Sequence, residues 1–100
     1  MSEARRSHPL TIRFNERLFT RVEIDPHFEK KHPDMTDPII LELVKALEGK
    51  ISPAVDEDHG FKFFVEHPWL HGKAYRIILT YSDADVLGVV NAFRVKEKKA

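Results

Sequence analysis

The feature that most constrains the fold is an alternation of apolar and other residues along the last third of the chain. It runs from Lys73 to Tyr81 and again from Val86 to Val95, with the polar stretch 82–85 between the two segments. A repeat of two residues places alternate side chains on opposite faces, as in a β-strand. Two such segments joined by a short polar turn predict an antiparallel hairpin near the end of the chain.

Three earlier segments have the same strand-like spacing. Apolar residues alternate over Leu10–Phe14, Arg17–Ile24 and Phe61–Glu66. The pair Asn15-Glu16 is a suitable turn between the first two segments, which predicts an N-terminal hairpin. In the second segment the alternation predicts one shared face for Leu18, Thr20, Val22 and Ile24.

One segment has the pattern of a helix instead. Asp37 is a suitable N-cap and Pro38 suits the first helical position. The apolar residues that follow recur at helical spacing, and Gly49 is placed to end the helix. We therefore predict a helix over about Pro38 to Glu48, with Leu43 and Leu47 buried against the sheet.

Together these elements predict an α+β fold. The predicted order is ββαβββ, an antiparallel sheet with one main helix packed on one face. At 100 residues the chain is expected to form a single domain, residues 1–100, with residues 1–8 and 96–100 as flexible termini.

Composition excludes several classes of function. The chain has no cysteine, which removes zinc-finger and thiol redox chemistry. The formal net charge is zero, which argues against a protein that holds nucleic acid through bulk charge. No apolar run approaches the roughly 20 residues that span a bilayer, and the polar start does not resemble a signal peptide. These observations predict a cytoplasmic protein that does not interact with membranes.

Three polar residues interrupt the apolar pattern of the last two predicted strands: Arg76, Asn91 and Arg94. Parity along the strands predicts that Arg76 and Arg94 share one face and that Asn91 points toward the core. One interpretation is an ordinary solvated sheet face. The other is a cationic face that binds phosphate, because a guanidinium is always charged and can form two parallel hydrogen bonds to a phosphate.

A second polar cluster lies between the N-terminal hairpin and the helix. It contains His27, Lys30, Lys31 and His32, and a short helical turn would bring His27 and Lys31 onto one face. RNA cleavage needs a base for the 2′-hydroxyl, an acid for the leaving oxygen and cations around the phosphate. These residues can supply such groups, although a solvated helix end explains them as well.

The remaining histidines give little indication of a metal site. His67 and His71 are four residues apart, but Pro68 separates them and no third ligand has suitable spacing. The expected structure is a loop with Trp69 packed inward. We predict neither a metal nor another cofactor.

The segment His27–Pro33, the helix after it, and the strands with Tyr75–Tyr81 and Val89–Arg94 resemble small toxins of the RelE/ParE and BrnT-like type. More broadly they resemble the barnase–EndoU–colicin–RelE group of metal-independent ribonucleases. The resemblance spans roughly residues 17 to 95. It implies an active site on the open face of the sheet, Arg76 and Arg94 as phosphate ligands, and His27 or Lys31 in acid–base catalysis.

Two hypotheses follow. The first is a small endoribonuclease toxin that acts on RNA and is neutralised by an antitoxin protein, with Lys30, Tyr81 and Asn91 in contact with the substrate. The second is a non-catalytic module that binds a protein partner through its sheet, for which we expect Phe19, Phe64 and Trp69 to be exposed.

Overall fold

The computed structural model describes residues 6–25, 34–82 and 84–95. Within these residues the chain forms seven strands and one helix, in the order β1 (Arg6–Phe14), β2 (Arg17–Ile24), α1 (Asp37–Lys45), β3 (Asp56–Asp58), β4 (Phe61–Glu66), β5 (Trp69–Leu70), β6 (Lys73–Tyr81) and β7 (Val86–Arg94). The helix in this part of the chain lacks the length and apolar character needed to cross a membrane.

The strands form a mixed sheet in the order β1-β2-β7-β6-β4-β3, and β5 pairs with β6. Neighbouring strands are antiparallel except β2 and β7, which are parallel. The fold is therefore α+β, but the prediction of a purely antiparallel sheet was wrong at this pair. Alternation along a strand specifies its faces and not its neighbours, so a pairing between strands this distant in the chain leaves no local signal.

Two short strands were also absent from the predicted order. β3 consists of three exposed acidic residues and so has no apolar alternation. β5 has only two residues and follows Pro68, which has no N–H to donate to a ladder. The observed order is therefore ββαβββββ rather than ββαβββ, and β1 begins at Arg6, inside the N-terminal segment predicted to be flexible.

One face of the sheet, here called the inner face, carries a hydrophobic core shared with α1. Leu43 and Leu47 are buried in it, as predicted. Phe19 and Phe64 are buried too, so the prediction that they are exposed was wrong. The buried hydrophobic residues of this cluster are Ile12, Phe14, Phe19, Val22, Ile24, Met35, Ile40, Leu43, Val44, Leu47, Phe64, Tyr75, Ile77, Leu79, Leu87, Val89 and Ala92.

The inner face of β2 differs from the predicted one at its N-terminal half. Val22 and Ile24 are both buried, as their shared face predicts. Nearer the start of the strand the buried residue is Phe19 and not Leu18, whose side chain is 48% exposed. The register between β1 and β2 shifts between Pro9 and Ile12, which changes the residue that faces the core. A shift of one residue exchanges the two faces of a strand.

The helix begins at Asp37 with Thr36 as its N-cap, and Thr36 makes no side-chain capping bond. Asp37 had been predicted as the N-cap. Its carboxylate instead accepts hydrogen bonds from Arg6 Nε at 2.8 Å and Arg6 Nη2 at 2.7 Å, which connects the helix to β1. The helix ends at Lys45. Gly49 lies in the turn that follows, has φ of 78°, and donates its N–H to the Arg13 carbonyl.

Candidate functional site

A bulge in β7 decides which polar residues meet on the sheet. Leu79 of β6 pairs with Val89 of β7, and Ile78 pairs with Asn91, so Val90 is an extra residue on β7. Leu79 is buried and Ile78 is half-buried. We call the side of the sheet that carries Ile78 the outer face.

The bulge moves Arg94 away from Arg76. Beyond Val90, Phe93 pairs with Arg76 and Arg94 pairs with Tyr75. Residues paired directly across two antiparallel strands point to the same face, and successive residues point to opposite faces. Arg76 therefore belongs to the outer face and Arg94 to the inner face. The prediction that the two arginines share one face was wrong, because uninterrupted parity along β7 cannot register an inserted residue.

The same bulge brings Asn91 to the face of Arg76. Asn91 had been predicted to point toward the core, but its pairing with Ile78 places it on the outer face. Its side-chain oxygen Oδ1 has less than 1 Å² of accessible surface and no hydrogen-bond partner. A buried acceptor in this state costs free energy, and groups of this kind are few in folded proteins. Asn91 is thus the one side chain of the described residues with such an atom.

Arg76 is in contact with a histidine that the sequence did not assign to the site. Arg76 Nε donates a hydrogen bond to His67 Nε2 at 3.2 Å, and the Arg76 guanidinium carbon lies 5.6 Å from the centre of the Phe93 ring. Because a guanidinium N–H can only donate, His67 accepts through Nε2, and the neutral ring carries its proton on Nδ1. A cation and a proton acceptor thus lie side by side on an exposed part of the outer face.

The positive charge of Arg76, unlike that of Arg6, has no anionic partner among the described residues. Among the described residues no ion pair includes Arg76. Arg6 is held by the Asp37 carboxylate, and the Arg17 guanidinium lies 5.0 Å from the centre of the Tyr81 ring. An unneutralised guanidinium on an open surface is suited to bind an anion such as a phosphate.

Trp69 adds an aromatic surface next to Arg76. It pairs with Ala74, which lies two residues before Arg76 on the same strand and therefore on the same face. Its side chain is 58% exposed, so the prediction of a loop with Trp69 packed inward was wrong, and the exposure expected of Trp69 in a protein-binding module is observed. The partner of Trp69 in β5, Leu70, is the residue that packs against the hydrophobic core. We refer to His67, Trp69, Arg76, Asn91 and Phe93 as the outer-face cluster.

Tyr81, a predicted substrate contact, does not join this cluster. It lies at the opposite end of β6 from Arg76, and its ring stacks on Phe64 at 4.8 Å between centroids. Its hydroxyl accepts a hydrogen bond from Asn15 Nδ2 at 3.3 Å. These contacts give Tyr81 a structural role at the N-terminal hairpin. The other predicted residues, His27, Lys30 and Lys31, lie outside the described residues.

A second polar cluster occupies the start of the helix. The Asp37 carboxylate accepts two hydrogen bonds from Arg6, and His8 Nε2 lies 2.7 Å from its Oδ2. The hydrogen bond from Arg6 lowers the pKa of Asp37 below its usual range, partial burial opposes this shift, and His8 adds to the lowering. Because its charges are paired within the chain, this cluster has the character of a structural connection between β1 and α1.

No group of three possible metal ligands occurs among the His, Cys, Asp and Glu residues of ranges 6–25, 34–82 and 84–95. The outer-face cluster consists of nitrogen donors, one amide and aromatic rings. Groups of these kinds are suited to anion binding and proton transfer.

Sequence reasoning missed His67 because Pro68 interrupts the strand pattern at this point. The observed strand register nevertheless explains the contact. If the antiparallel pairing of Glu66 with Ile77 is extended by one residue, His67 falls opposite Arg76. Comparisons of the chain with protein-family models, with curated proteins and with solved structures found no match.

Proposed function

We propose that the protein is a small metal-independent endoribonuclease of the toxin type, which cleaves RNA on the outer face of its sheet. The observation that carries the proposal is the contact of 3.2 Å between Arg76 Nε and His67 Nε2. It supplies a phosphate-binding cation and a proton-transfer group in one place. The fold that accompanies this proposal has α1 packed over the inner face and leaves the outer face for the substrate.

In the proposed reaction the Arg76 guanidinium turns from His67 to the phosphate and neutralises its charge. Turning away releases the lone pair of His67 Nε2, which accepts the proton of the neighbouring 2′-hydroxyl. The 2′-oxygen then attacks phosphorus, the bond to the 5′-oxygen breaks, and that oxygen takes a proton from water. The hydroxide left behind takes the proton from His67 Nε2, which restores the neutral imidazole. The products are a cyclic phosphate and a free 5′-hydroxyl, and no electron acceptor or metal is required to balance the step.

The residues that this proposal uses differ from those predicted from sequence. Arg76 keeps its role as phosphate ligand. Asn91 shares the outer face and keeps its role as a substrate contact through the accessible part of its half-buried side chain, since Oδ1 itself is buried. His67 takes the role of general base, whereas His27 and Lys31 remain candidates from sequence alone. A cytoplasmic location and an antitoxin protein as partner are parts of the same proposal.

The proposal is tested by incubating the purified chain with RNA in EDTA. His67→Asn should lower the cleavage rate by on the order of 100-fold or more, the usual contribution of a general base. Arg76→Ala should also reduce cleavage strongly. Two controls are matched by residue type: Arg94→Ala changes an exposed arginine of the inner face, and His59→Asn changes an exposed histidine in the turn between β3 and β4. Both should cleave like the wild type.

Two results would contradict the proposal. One is a loss of cleavage in Arg94→Ala as large as that in Arg76→Ala, because the site would then not be confined to the outer face. The other is cleavage that EDTA abolishes and magnesium restores. An RNA with deoxyribose at the cleaved position must also remain intact, since the 2′-oxygen is the attacking group.

The alternative function, a non-catalytic module that binds a protein, retains one supporting observation. Trp69 is exposed, while Phe19 and Phe64, which were expected to contribute to such a surface, are buried. A chain that binds a protein partner through Trp69 and cleaves no RNA in the assay above would favour this alternative.

A further inference from the structure

The backbone of Trp69 is held by contacts on both sides, while its side chain is exposed. Its neighbour Leu70 packs against the core, and the tight turn His71–Gly72, with φ of 52° and 75°, leads directly into β6. His71 Nε2 also lies 3.5 Å from Glu42 Oε2 of the helix, which connects this turn to α1. The backbone of Trp69 is thus anchored on both sides, and a ligand that meets the ring need not order the backbone first.

The small side chain across from Trp69 keeps its ring uncovered. Trp69 pairs with Ala74, and an alanine cannot extend over an indole ring. On the same face, Arg76 lies one diagonal step from Trp69, a separation of about 7–8 Å between backbones. If Arg76 holds a phosphate of an RNA strand, a base next to that phosphate can therefore reach the Trp69 ring.

We infer that the outer-face cluster takes a single-stranded RNA segment and that one unpaired base stacks on Trp69 while the adjacent phosphate binds Arg76. This inference rests on the proposed function and adds the substrate's conformation to it. Bases in a duplex already stack on their neighbours, so only an unpaired base can present its face to an indole. Stacking accepts every base, which makes the site selective for strandedness and not for sequence.

The neutral charge of the chain fits this mode of binding. Arg76 is the cation of the outer-face cluster, and Lys73 lies at the start of the same strand on the other face. With Arg76 as the phosphate contact of the cluster, the slope of log K against log salt should be only about −0.7 for a single strand. A protein that binds through bulk charge would show a much steeper slope.

Trp69 is the only tryptophan of the chain, so its fluorescence reports on this site alone. The probe is a six-nucleotide 2′-O-methyl oligoadenylate, which cannot be cleaved, and the control is the same strand in a duplex. We expect saturable quenching of Trp69 emission by the single strand and little quenching by the duplex. With a fluorescein-labelled strand, Trp69→Leu should bind about 5-fold to 150-fold more weakly, the range expected from loss of one stacked base. Trp69→Phe should retain most of the affinity.

The outcomes separate this inference from the proposed function. Two results would overturn the inference while the proposed ribonuclease activity is retained. One is RNA cleavage by a chain that binds single strand and duplex with equal affinity. The other is RNA cleavage by a chain whose binding is unaffected by Trp69→Leu. Quenching and Trp69-dependent binding by a chain that cleaves no RNA support the inference as a binding mode and remove the catalytic proposal. If no oligonucleotide changes Trp69 emission at low salt, the inference is overturned. The exposed ring would then be assigned to contact with a protein partner.

Discussion

The two faces of the β6–β7 pair differ in the burial of their side chains and in the hydrogen bonding of their polar groups. On the inner face, Tyr75, Ile77 and Leu79 are all buried in one apolar cluster. On the outer face, Arg76 is exposed, and a buried oxygen of Asn91 has no hydrogen-bond partner. Apolar packing accounts for the inner face, whereas the outer face retains an exposed cation and a buried acceptor that packing does not explain.

Substitution of two adjacent isoleucines on β6 tests this comparison with the largest expected change in stability. Ile77 is fully buried on the inner face, and Ile78 is half-buried on the outer face. Ile77→Ala should lower the free energy of unfolding by about 2–5 kcal/mol, since it removes buried methyl groups and leaves a cavity. Ile78→Ala should cost about 1–2 kcal/mol, because part of its side chain is already in water and fewer contacts are lost. Urea denaturation of both variants measures the difference, and equal costs would mean that the outer face is covered in solution.

Polar groups at the two faces give a second, smaller test. Arg6 and His8 pair with Ile24 and Val22 of the inner face, and both bind the Asp37 carboxylate. Unlike Asn91 Oδ1, both carboxylate oxygens of Asp37 accept hydrogen bonds. Asp37→Asn should therefore destabilise the protein by about 1–2 kcal/mol, the scale of hydrogen bonds to a charged group at a partly exposed site.

The pH dependence of this contribution has a definite sign. The pKa of Asp37 is lowered in the folded protein, mainly by the hydrogen bond from Arg6, so the unfolded chain binds a proton more readily. The stabilisation is present above the unfolded pKa and is lost as the pH falls below about 4 through the folded pKa. The difference in unfolding free energy between wild type and Asp37→Asn should shrink over that range. A constant difference from pH 7 to pH 2 would show that the carboxylate charge is not the cause.

The elements with strong local patterns could be predicted, while the site could not. Strands Arg17–Ile24, Phe61–Glu66 and Lys73–Tyr81 agree with the observed bounds at both ends. Their alternation is a property of each strand alone. The bulge at Val90 depends on pairing between strands and has no glycine or proline to mark it. Arg94 was therefore assigned to the wrong face and Asn91 with it.

The smallest expected effect has the opposite direction. Asn91→Leu replaces the amide with an apolar side chain of similar size and removes the acceptor Oδ1, which is buried without a partner. Such an unsatisfied group costs about 1–3 kcal/mol, and part of that cost should be recovered, so we expect the variant to be about 1 kcal/mol more stable in urea. RNA cleavage should fall in the same variant, because Asn91 shares the outer face with Arg76. A gain in stability together with a loss of activity would show that the outer face keeps Asn91 for a ligand. If Asn91→Leu instead lowers stability by 1 kcal/mol or more, Oδ1 has a partner in solution, and the contrast between the two faces no longer rests on this residue.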